Sequence, residues 1–366
     1  MMRLIKACNY IVVKLLELML RPFKVKDRAV FVSYFSEHPE GNLKCMLEEM
    51  RRNYDIPLVT LFSSYGKGLA AKIKFVGHTL KETYYYSTSR LILLEGNSYV
   101  LSVIKKKKGV TAVQVWHAAG AFKKFGADTD RFYAISGIDA ALVSCPQVTK
   151  IYAQALNVEE SRVFPVGIPR ADVFCEREFL SRARQQVERR YPRLKGKKTV
   201  LYAPTFRGSG IDDINRKEID LEKLRQMEQE GYALMMRRHP LMERTDVKEI
   251  ADVSDMDLME ALAAADILIT DYSSVIFEFS LLDRPMIFLA PDEGDYEKER
   301  GFYFGYEGFV PGPVVHSEGE VLKCLKKDDF EPEKRKRFAE KFTYGFDGRA
   351  TERAVEKAVE IGKIKK

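Results

Sequence analysis

Short apolar runs separated by longer charged stretches of helical period set the rhythm of this chain. In the first half, residues 29–33, 57–62, 98–102, 111–115 and 141–144 read as strands, with helical, charged segments between them. The second half repeats the pattern, with strands at 199–203, 232–236, 266–270 and 285–290 and helices over 218–230, 255–264 and 273–282. A highly charged helix is predicted over 176–191. The last 35 residues read as charged helix, interrupted at Phe346-Asp347-Gly348. Strands alternating with helices are the signature of a parallel sheet. Their repetition predicts an α/β chain of two Rossmann-like domains facing each other. Val166-Gly167-Ile168-Pro169-Arg170 is the crossing point, giving domains at 29–170 and 171–345. Residues 346–366 form a final helix that can cross back to the first domain.

Residues 1–28 follow a different pattern. Leu4, Ile5, Cys8, Ile11, Val12, Leu15, Leu16, Met19 and Leu20 fall at helical spacing on one face. Lys6, Asn9, Lys14 and Glu17 interrupt any continuous apolar run, which argues against a spanning helix. No small-residue cleavage site follows an h-region, which argues against a signal peptide. The segment holds seven basic residues (Arg3, Lys6, Lys14, Arg21, Lys24, Lys26 and Arg28) against Glu17 and Asp27, most of the net +7 of the whole chain. One reading is an amphipathic helix lying in the plane of an anionic membrane, each basic residue contributing on the order of 1 kcal/mol. The other is a first helix packed on the body of the protein.

Composition narrows the classes. At 366 residues, 46% hydrophobic and 31% charged, the chain is a folded body of two domains rather than a disordered one. Cys8, Cys45, Cys145, Cys175 and Cys324 are scattered without CxxC spacing, which points to a reducing compartment and away from a zinc or disulfide framework. Gly66-Lys67-Gly68-Leu69-Ala70-Ala71 matches a GxGxxA pattern, yet no ribose-binding acid follows on a later strand end, so a nicotinamide cofactor is not expected. The Lys105–Lys108 run lacks interleaved aromatics and reads as a solvated turn rather than a nucleic-acid site.

The candidate chemistry lies at predicted strand ends. His117, in Gln114-Val115-Trp116-His117-Ala118-Ala119-Gly120, closes a strand of the first half. His239, in Arg237-Arg238-His239-Pro240, closes one of the second. Strand alternation puts Arg237 and His239 on one face. Thr205 and Arg207 lie just past another strand. Thr270-Asp271-Tyr272-Ser273-Ser274 turns a strand directly into a helix, where N–H groups and the dipole favour a phosphate. Asp347-Gly348-Arg349 opens the last helix. Each has a structural alternative: a buried core histidine, Ser273 as an N-cap, Arg207 as a loop charge, Arg349 as an ion-pair partner. The four second-half segments, holding Thr205 and Arg207, Arg237 and His239, Asp271 to Ser274, and Arg349, converge on the C-terminal edge of one sheet, and a nucleotide diphosphate is the natural occupant.

The set resembles the CDP-glycerol glycerophosphotransferases of teichoic acid synthesis, over residues 29–360. The resemblance rests on Trp116-His117, Gly167-Ile168-Pro169-Arg170, Tyr202-Ala203-Pro204-Thr205-Phe206-Arg207, His239-Pro240 and Thr270-Asp271-Tyr272-Ser273-Ser274. It continues through Leu282-Asp283-Arg284-Pro285, Arg300-Gly301-Phe302-Tyr303-Phe304 and Phe346-Asp347-Gly348-Arg349. Polymerase members usually carry Trp-His-Gly-Thr-Pro-Leu-Lys at the first histidine. Trp116-His117-Ala118-Ala119-Gly120-Ala121-Phe122-Lys123 instead resembles the primase branch, and the chain length, with no large N-terminal extension, points the same way. A second departure is Glu278, where many members have Asp.

The resemblance implies a GT-B fold and transfer of sn-glycerol 3-phosphate from CDP-glycerol to the ManNAc of undecaprenyl-diphosphate-linked GlcNAc-ManNAc, releasing CMP. It makes His117 the general base. His239, Arg207 and Arg237 stabilise phosphate charge, and Thr205, Asp271, Ser273, Ser274 and Arg349 hold the donor. Trp116, Pro169, Arg170 and Asp172 shape the cleft. No carboxylate cluster reads as a metal cage, so Mg²⁺ would enter through the diphosphate. A peripheral place on the cytoplasmic face of the membrane follows, with other teichoic acid enzymes as further partners. The alternatives are a polymerase or a CDP-ribitol transferase of the same family, a GT-B-shaped UDP-sugar epimerase, and a non-enzymatic membrane scaffold.

Overall fold

The computed structural model of the chain describes residues 2–64, 68–115, 117–130, 133–205, 219–238, 250–328 and 330–364. The chain divides into two compact units. One comprises Met1–Ala119, Phe125–Arg170 and Arg349–Lys366; the other comprises Gly120–Lys124 and Ala171–Gly348.

The first unit runs α1 (Met2–Leu20), β1 (Lys26–Ser33), α2 (Gly41–Asn53), β2 (Leu58–Phe62), α3 (Leu69–Thr88), β3 (Ser89–Leu94), α4 (Tyr99–Val103), β4 (Thr111–Gln114), β5 (Ala140–Val143), α5 (Thr149–Leu156) and β6 (Val163–Pro165). Its six strands are parallel, in the order β2-β1-β3-β4-β5-β6. Both faces are covered, so the central strands are apolar throughout rather than alternating. Phe31, Leu91, Leu93 and Val113 face Met46, Leu47 and Met50 of α2. Val30, Val32, Ile92 and Leu94 face Val13 of α1 and Tyr86 of α3.

Two assignments from the sequence change here. Residues 98–102, expected as a strand, belong to the short helix α4, because Ser98 caps it: its hydroxyl accepts the Leu101 N–H at 3.2 Å. The strand in that place is β3, an unbroken apolar run whose double-sided burial erases the period-2 signal. The GxGxxA glycine Gly66 and Lys67 lie outside the described residues.

The N-terminal segment is both packed and exposed. Val13, Glu17 and Leu20 are buried against the unit, whereas Ile11, Val12, Leu15, Leu18 and Met19 are exposed. The face that docks is therefore not the apolar stripe read from the sequence; Leu20 leaves that stripe and Leu18 joins the exposed row. Arg28 also leaves the basic set. It is buried, with Nε donating to Ser89 Oγ at 2.8 Å and Nη2 to Thr88 Oγ1 at 2.6 Å. The Lys105–Lys108 run is only partly a solvated turn: Lys105 and Lys108 are exposed, whereas Lys107 Nζ donates to the Leu20 and Phe23 carbonyls at 2.6 Å each and Lys106 pairs with Asp139, and the Lys105 backbone N–H donates to Glu17 at 3.1 Å. No described helix is long and apolar enough to cross a membrane.

The second unit runs α6 (Arg177–Arg190), β7 (Lys198–Tyr202), α7 (Leu221–Arg225), β8 (Tyr232–Met236), β9 (Ala251–Asp252), α8 (Leu258–Ala263), β10 (Ile267–Thr270), α9 (Val275–Ser280), β11 (Met286–Leu289), α10 (Glu293–Arg300), α11 (Tyr306–Phe309), β12 (Val314–Val315), α12 (Glu318–Lys327) and α13 (Pro332–Phe342). Its parallel sheet has the order β12-β11-β10-β7-β8-β9, the doubly wound arrangement. The last helix, α14 (Ala350–Gly362), belongs to the first unit and buries Ala354, Val355, Ala358 and Val359 in the same core as α2. Thr351 Oγ1 donates to the Pro169 carbonyl at 3.2 Å and Arg353 Nε to the Val166 carbonyl at 3.0 Å, which ties α14 down.

Candidate active site

In a doubly wound sheet, ligands bind beyond the strand ends where the order reverses. In the second unit that point lies between β7 and β10. The turns after these two strands are clasped together by Asp271. Its carboxylate accepts the Thr205 N–H at 2.8 and 3.1 Å and the Tyr272 N–H at 2.6 Å. Thr270 Oγ1 adds a bond to the Ala203 carbonyl at 2.7 Å. Tyr272 is fully buried, stacked 4.0 Å from Tyr296, with its hydroxyl donating to Asp292 at 2.9 Å. This packing fixes the following half-exposed pair, Ser273 and Ser274, at the start of α9. Because α9 has six residues, a macrodipole contributes little there; the local groups are the hydroxyls and first-turn N–H groups.

Thr205, Asp271, Ser273 and Ser274 are thus brought to one edge. Arg237, one residue past β8, braces the backbone with one arm of its guanidinium. Its Nη1 donates to the carbonyls of Val253, Ser254 and Met256 at 3.1, 3.3 and 2.6 Å, holding the turn before α8. Arg238 is buried and pairs with Asp252 at 3.0 Å. Arg207, His239 and Trp116 lie outside the described residues. Asp172 follows the start of this unit, and its carbonyl lies 3.9 Å from where a side chain on Gly348 would sit.

Residues 120–124 also belong here, a contribution not read from the sequence. Gly120 adopts φ +63°, and a Cβ there would lie 2.1 Å from Phe277 Cζ, so only glycine fits against that ring. Phe122 stacks on Phe302 and Tyr306, and Tyr303 N–H bonds the Phe122 carbonyl at 3.0 Å.

In the first unit the order reverses between β1 and β3, and its edge carries His117, half-buried, just beyond β4. The imidazole lies 4.3 Å from the Phe35 ring. The Glu95 carboxyl, one residue past β3, accepts the Ser33 hydroxyl at 3.1 Å. Burial raises Glu95 to about 7; the Ser33 hydroxyl, the Arg170 charge and the Leu43 N–H pull it down, and Glu40 pushes it up. The sequence does carry a signal for this residue: an acid directly after the unbroken apolar run 91–94. Arg170 N–H donates to Asn42 at 3.1 Å, and Pro169 anchors α14, so both brace the first unit. Arg349 is exposed and pairs with Glu352 at 2.7 and 3.0 Å. A second buried acid, Glu82, accepts the hydroxyls of Tyr34 and Tyr86 and is also raised to about 7 by burial.

Among the described residues, ligand atoms of Glu293, Glu307 and His316 lie within 4.8 Å of one another. Glu307 and His316 are exposed, and His316 Nδ1 faces the Ala290 carbonyl at 2.9 Å, so a cation would meet Nε2 alone. Burial and Glu307 raise the Glu293 carboxyl.

The model of the family described as CDP-glycerol:poly(glycerophosphate) glycerophosphotransferase matches residues 14–360. The chain is 35% identical over 350 residues to a teichoic acid ribitol-phosphate primase of Bacillus spizizenii, covering 90% of each chain. It is 29% identical to a teichoic acid glycerol-phosphate primase of Bacillus subtilis, covering 86% of this chain and 87% of that one. The structure of the wall teichoic acid polymerase TagF superposes with a TM-score of 0.74 at 24% identity, covering 98% and 95%, which establishes a shared fold.

Proposed function

The chain belongs to the CDP-glycerol:poly(glycerophosphate) glycerophosphotransferase family, and on that premise we propose that it primes a teichoic acid. It moves a polyol phosphate from a CDP-activated polyol to a lipid-linked acceptor and releases CMP. The observation that carries the reading is the Asp271 clasp at the switch point of the second sheet. It fixes the Thr205 turn beside the hydroxyls of Ser273 and Ser274, an arrangement suited to a diphosphate. Trp116-His117-Ala118-Ala119-Gly120 and the 35% identity to a primase support priming over polymerisation.

In the step, the acceptor hydroxyl oxygen attacks the β-phosphorus of the donor. The bond from that phosphorus to the CMP oxygen breaks, and CMP leaves with the electron pair. His117 takes the hydroxyl proton. Thr205, Ser273 and Ser274 hold phosphate oxygens, with His239, Arg207 and Arg349 assigned to phosphate charge from the sequence motifs. Arg237 acts by bracing the turn before α8. The reading includes no tightly bound cofactor, and Mg²⁺ would be carried by the diphosphate.

The donor is CDP-glycerol and the acceptor undecaprenyl-diphosphate-linked GlcNAc-ManNAc. CDP-ribitol is the second reading, supported by the ribitol-phosphate primase relative. The protein sits peripherally on the cytoplasmic face of the membrane, an arrangement supported by the exposed row on α1, and by Phe75, Val76 and Leu80 exposed on α3, against which α1 packs. The test is CMP release from each CDP-polyol with synthetic lipid-linked GlcNAc-ManNAc, sizing the product by mass. One added unit from CDP-glycerol is expected. A ladder would make the chain a polymerase, and no CMP from either donor would overturn the reading.

A further inference from the structure

Glu95 is buried, belongs to no motif of the family resemblance, and has no part in the step above, yet it stands at the point where the first sheet reverses its order. Its carboxyl is connected to His117 through an unbroken series of contacts within the first unit. The Ser33 hydroxyl donates to Glu95 Oε2 at 3.1 Å and, as acceptor, takes the Phe35 N–H at 3.3 Å. The Phe35 ring then lies against the His117 imidazole, centroids 4.3 Å apart and planes at 50°.

Phe35 needs such a hold. It is 52% exposed, so burial alone does little to fix it. It rests on the backbone of Gly96, where φ is +78° and a Cβ would meet ring atoms at 3.1 and 3.2 Å. Gly96 is fixed in turn by the buried Gln114, whose Nε2 donates to the Gly96 carbonyl at 2.6 Å. The far side of Glu95 faces the start of α2. A Cβ built on Gly41, at the start of α2, would meet Glu95 Oε1 at 3.8 Å and Arg170 Nη1 at 3.7 Å, which places acid and guanidinium around one helix end. Fixing a ring that supports a reacting imidazole matters because small displacements of a reacting group cost large factors in rate.

We propose that Glu95 is a positioning residue that, through Ser33 and Phe35, sets the orientation of the His117 imidazole. The proposal rests on the transferase reading for its effect on rate, but the mechanical link stands on the contacts alone. The experiment uses the full chain as wild type, Ser33→Ala, Glu95→Ala and Glu95→Gln, with three measurements on each. These are the ring ¹H–¹³C resonance of His117, assigned with His117→Asn, the affinity for CMP, and kcat for CMP release. Ser33→Ala and Glu95→Ala shift the His117 resonance and lower kcat by about tenfold or more, with CMP affinity unchanged. Glu95→Gln, whose amide oxygen still accepts the Ser33 hydroxyl, restores both resonance and rate and excludes simple unfolding as the cause. An unmoved His117 resonance in the two alanine variants overturns the link. A moved resonance with unchanged kcat overturns the positioning role. If wild type releases no CMP from any acceptor, the transferase reading fails, and the resonance still decides the link.

Discussion

Asp271 accepts two backbone N–H groups, one from its neighbour Tyr272 and one from Thr205, 66 residues away in sequence. A carboxylate in that role is worth on the order of 1.5–3 kcal/mol per charged hydrogen bond, and its removal strands buried donors. Asp271→Ala is therefore expected to weaken CMP binding by about ten- to a hundredfold, measured by calorimetry, while Ser33→Ala leaves it unchanged. Gly120 makes a second residue-scale demand. With φ +63° and the Phe277 ring where a side chain would go, Gly120→Ala is expected to destabilise the second unit by about 1–3 kcal/mol, read from urea unfolding. The motif containing His117 and Gly120 was visible in the sequence, but the ring that forbids a side chain at Gly120 comes from residue 277 and was not. Similarly, strand alternation that puts Arg237 on the face of His239 is legible in the sequence. The three carbonyls that Arg237 holds belong to a turn whose position only the fold determines.

At the scale of elements, α1 shows how an amphipathic pattern leaves its own use open. Helical spacing identified an apolar helix, but apolar residues occur on more than one side, and spacing does not say which side docks. Val13 and Leu20 dock, Glu17 is held by Lys14 and the Lys105 N–H, and Lys107 binds the last carbonyls. Deleting residues 1–22 would uncover this core, so substitution of the outer row is the cleaner experiment. Ile11→Ser, Leu15→Ser and Met19→Ser combined are expected to leave the melting temperature within a few degrees of wild type. The same variant is expected to lose sedimentation with vesicles containing anionic phospholipid. Val13→Asp, by contrast, buries an unpaired charge and is expected to lower the melting temperature sharply. Retained sedimentation in the triple variant would remove α1 from the membrane face.

For the molecule as a whole, the buried carboxyls Glu82 and Glu95 of the first unit predict a pH dependence of stability. Glu82 and Glu95 stand at about 7 in the fold against an ordinary 4.5. Below about 4.5 both folded and unfolded chains hold these protons, and stability is unaffected. Between 4.5 and 7 the folded chain retains protons that the unfolded chain releases, so stability falls as pH rises and stays lower above 7. Each group accounts for a loss on the order of 3 kcal/mol. Glu82→Gln, neutral at every pH, is expected to melt above wild type at pH 8, with the gap closing toward pH 5. A constant gap across that range would contradict the burial of a titrating carboxyl.

The division between sequence and fold follows from the range of the forces involved. Apolar periodicity and turn residues act over a few positions, so β8 at Tyr232–Met236, the helix at Arg177–Arg190 and the break before the final helix could be read directly. The residues that carry the family resemblance were equally legible as short motifs. Strand order, the clasp of Asp271 on Thr205, the burial of Arg28, the docking side of α1 and the raised carboxyls of Glu82 and Glu95 were decided only by tertiary structure. Each depends on desolvation or on a hydrogen-bond partner tens of residues away, and neither quantity exists until the chain has packed.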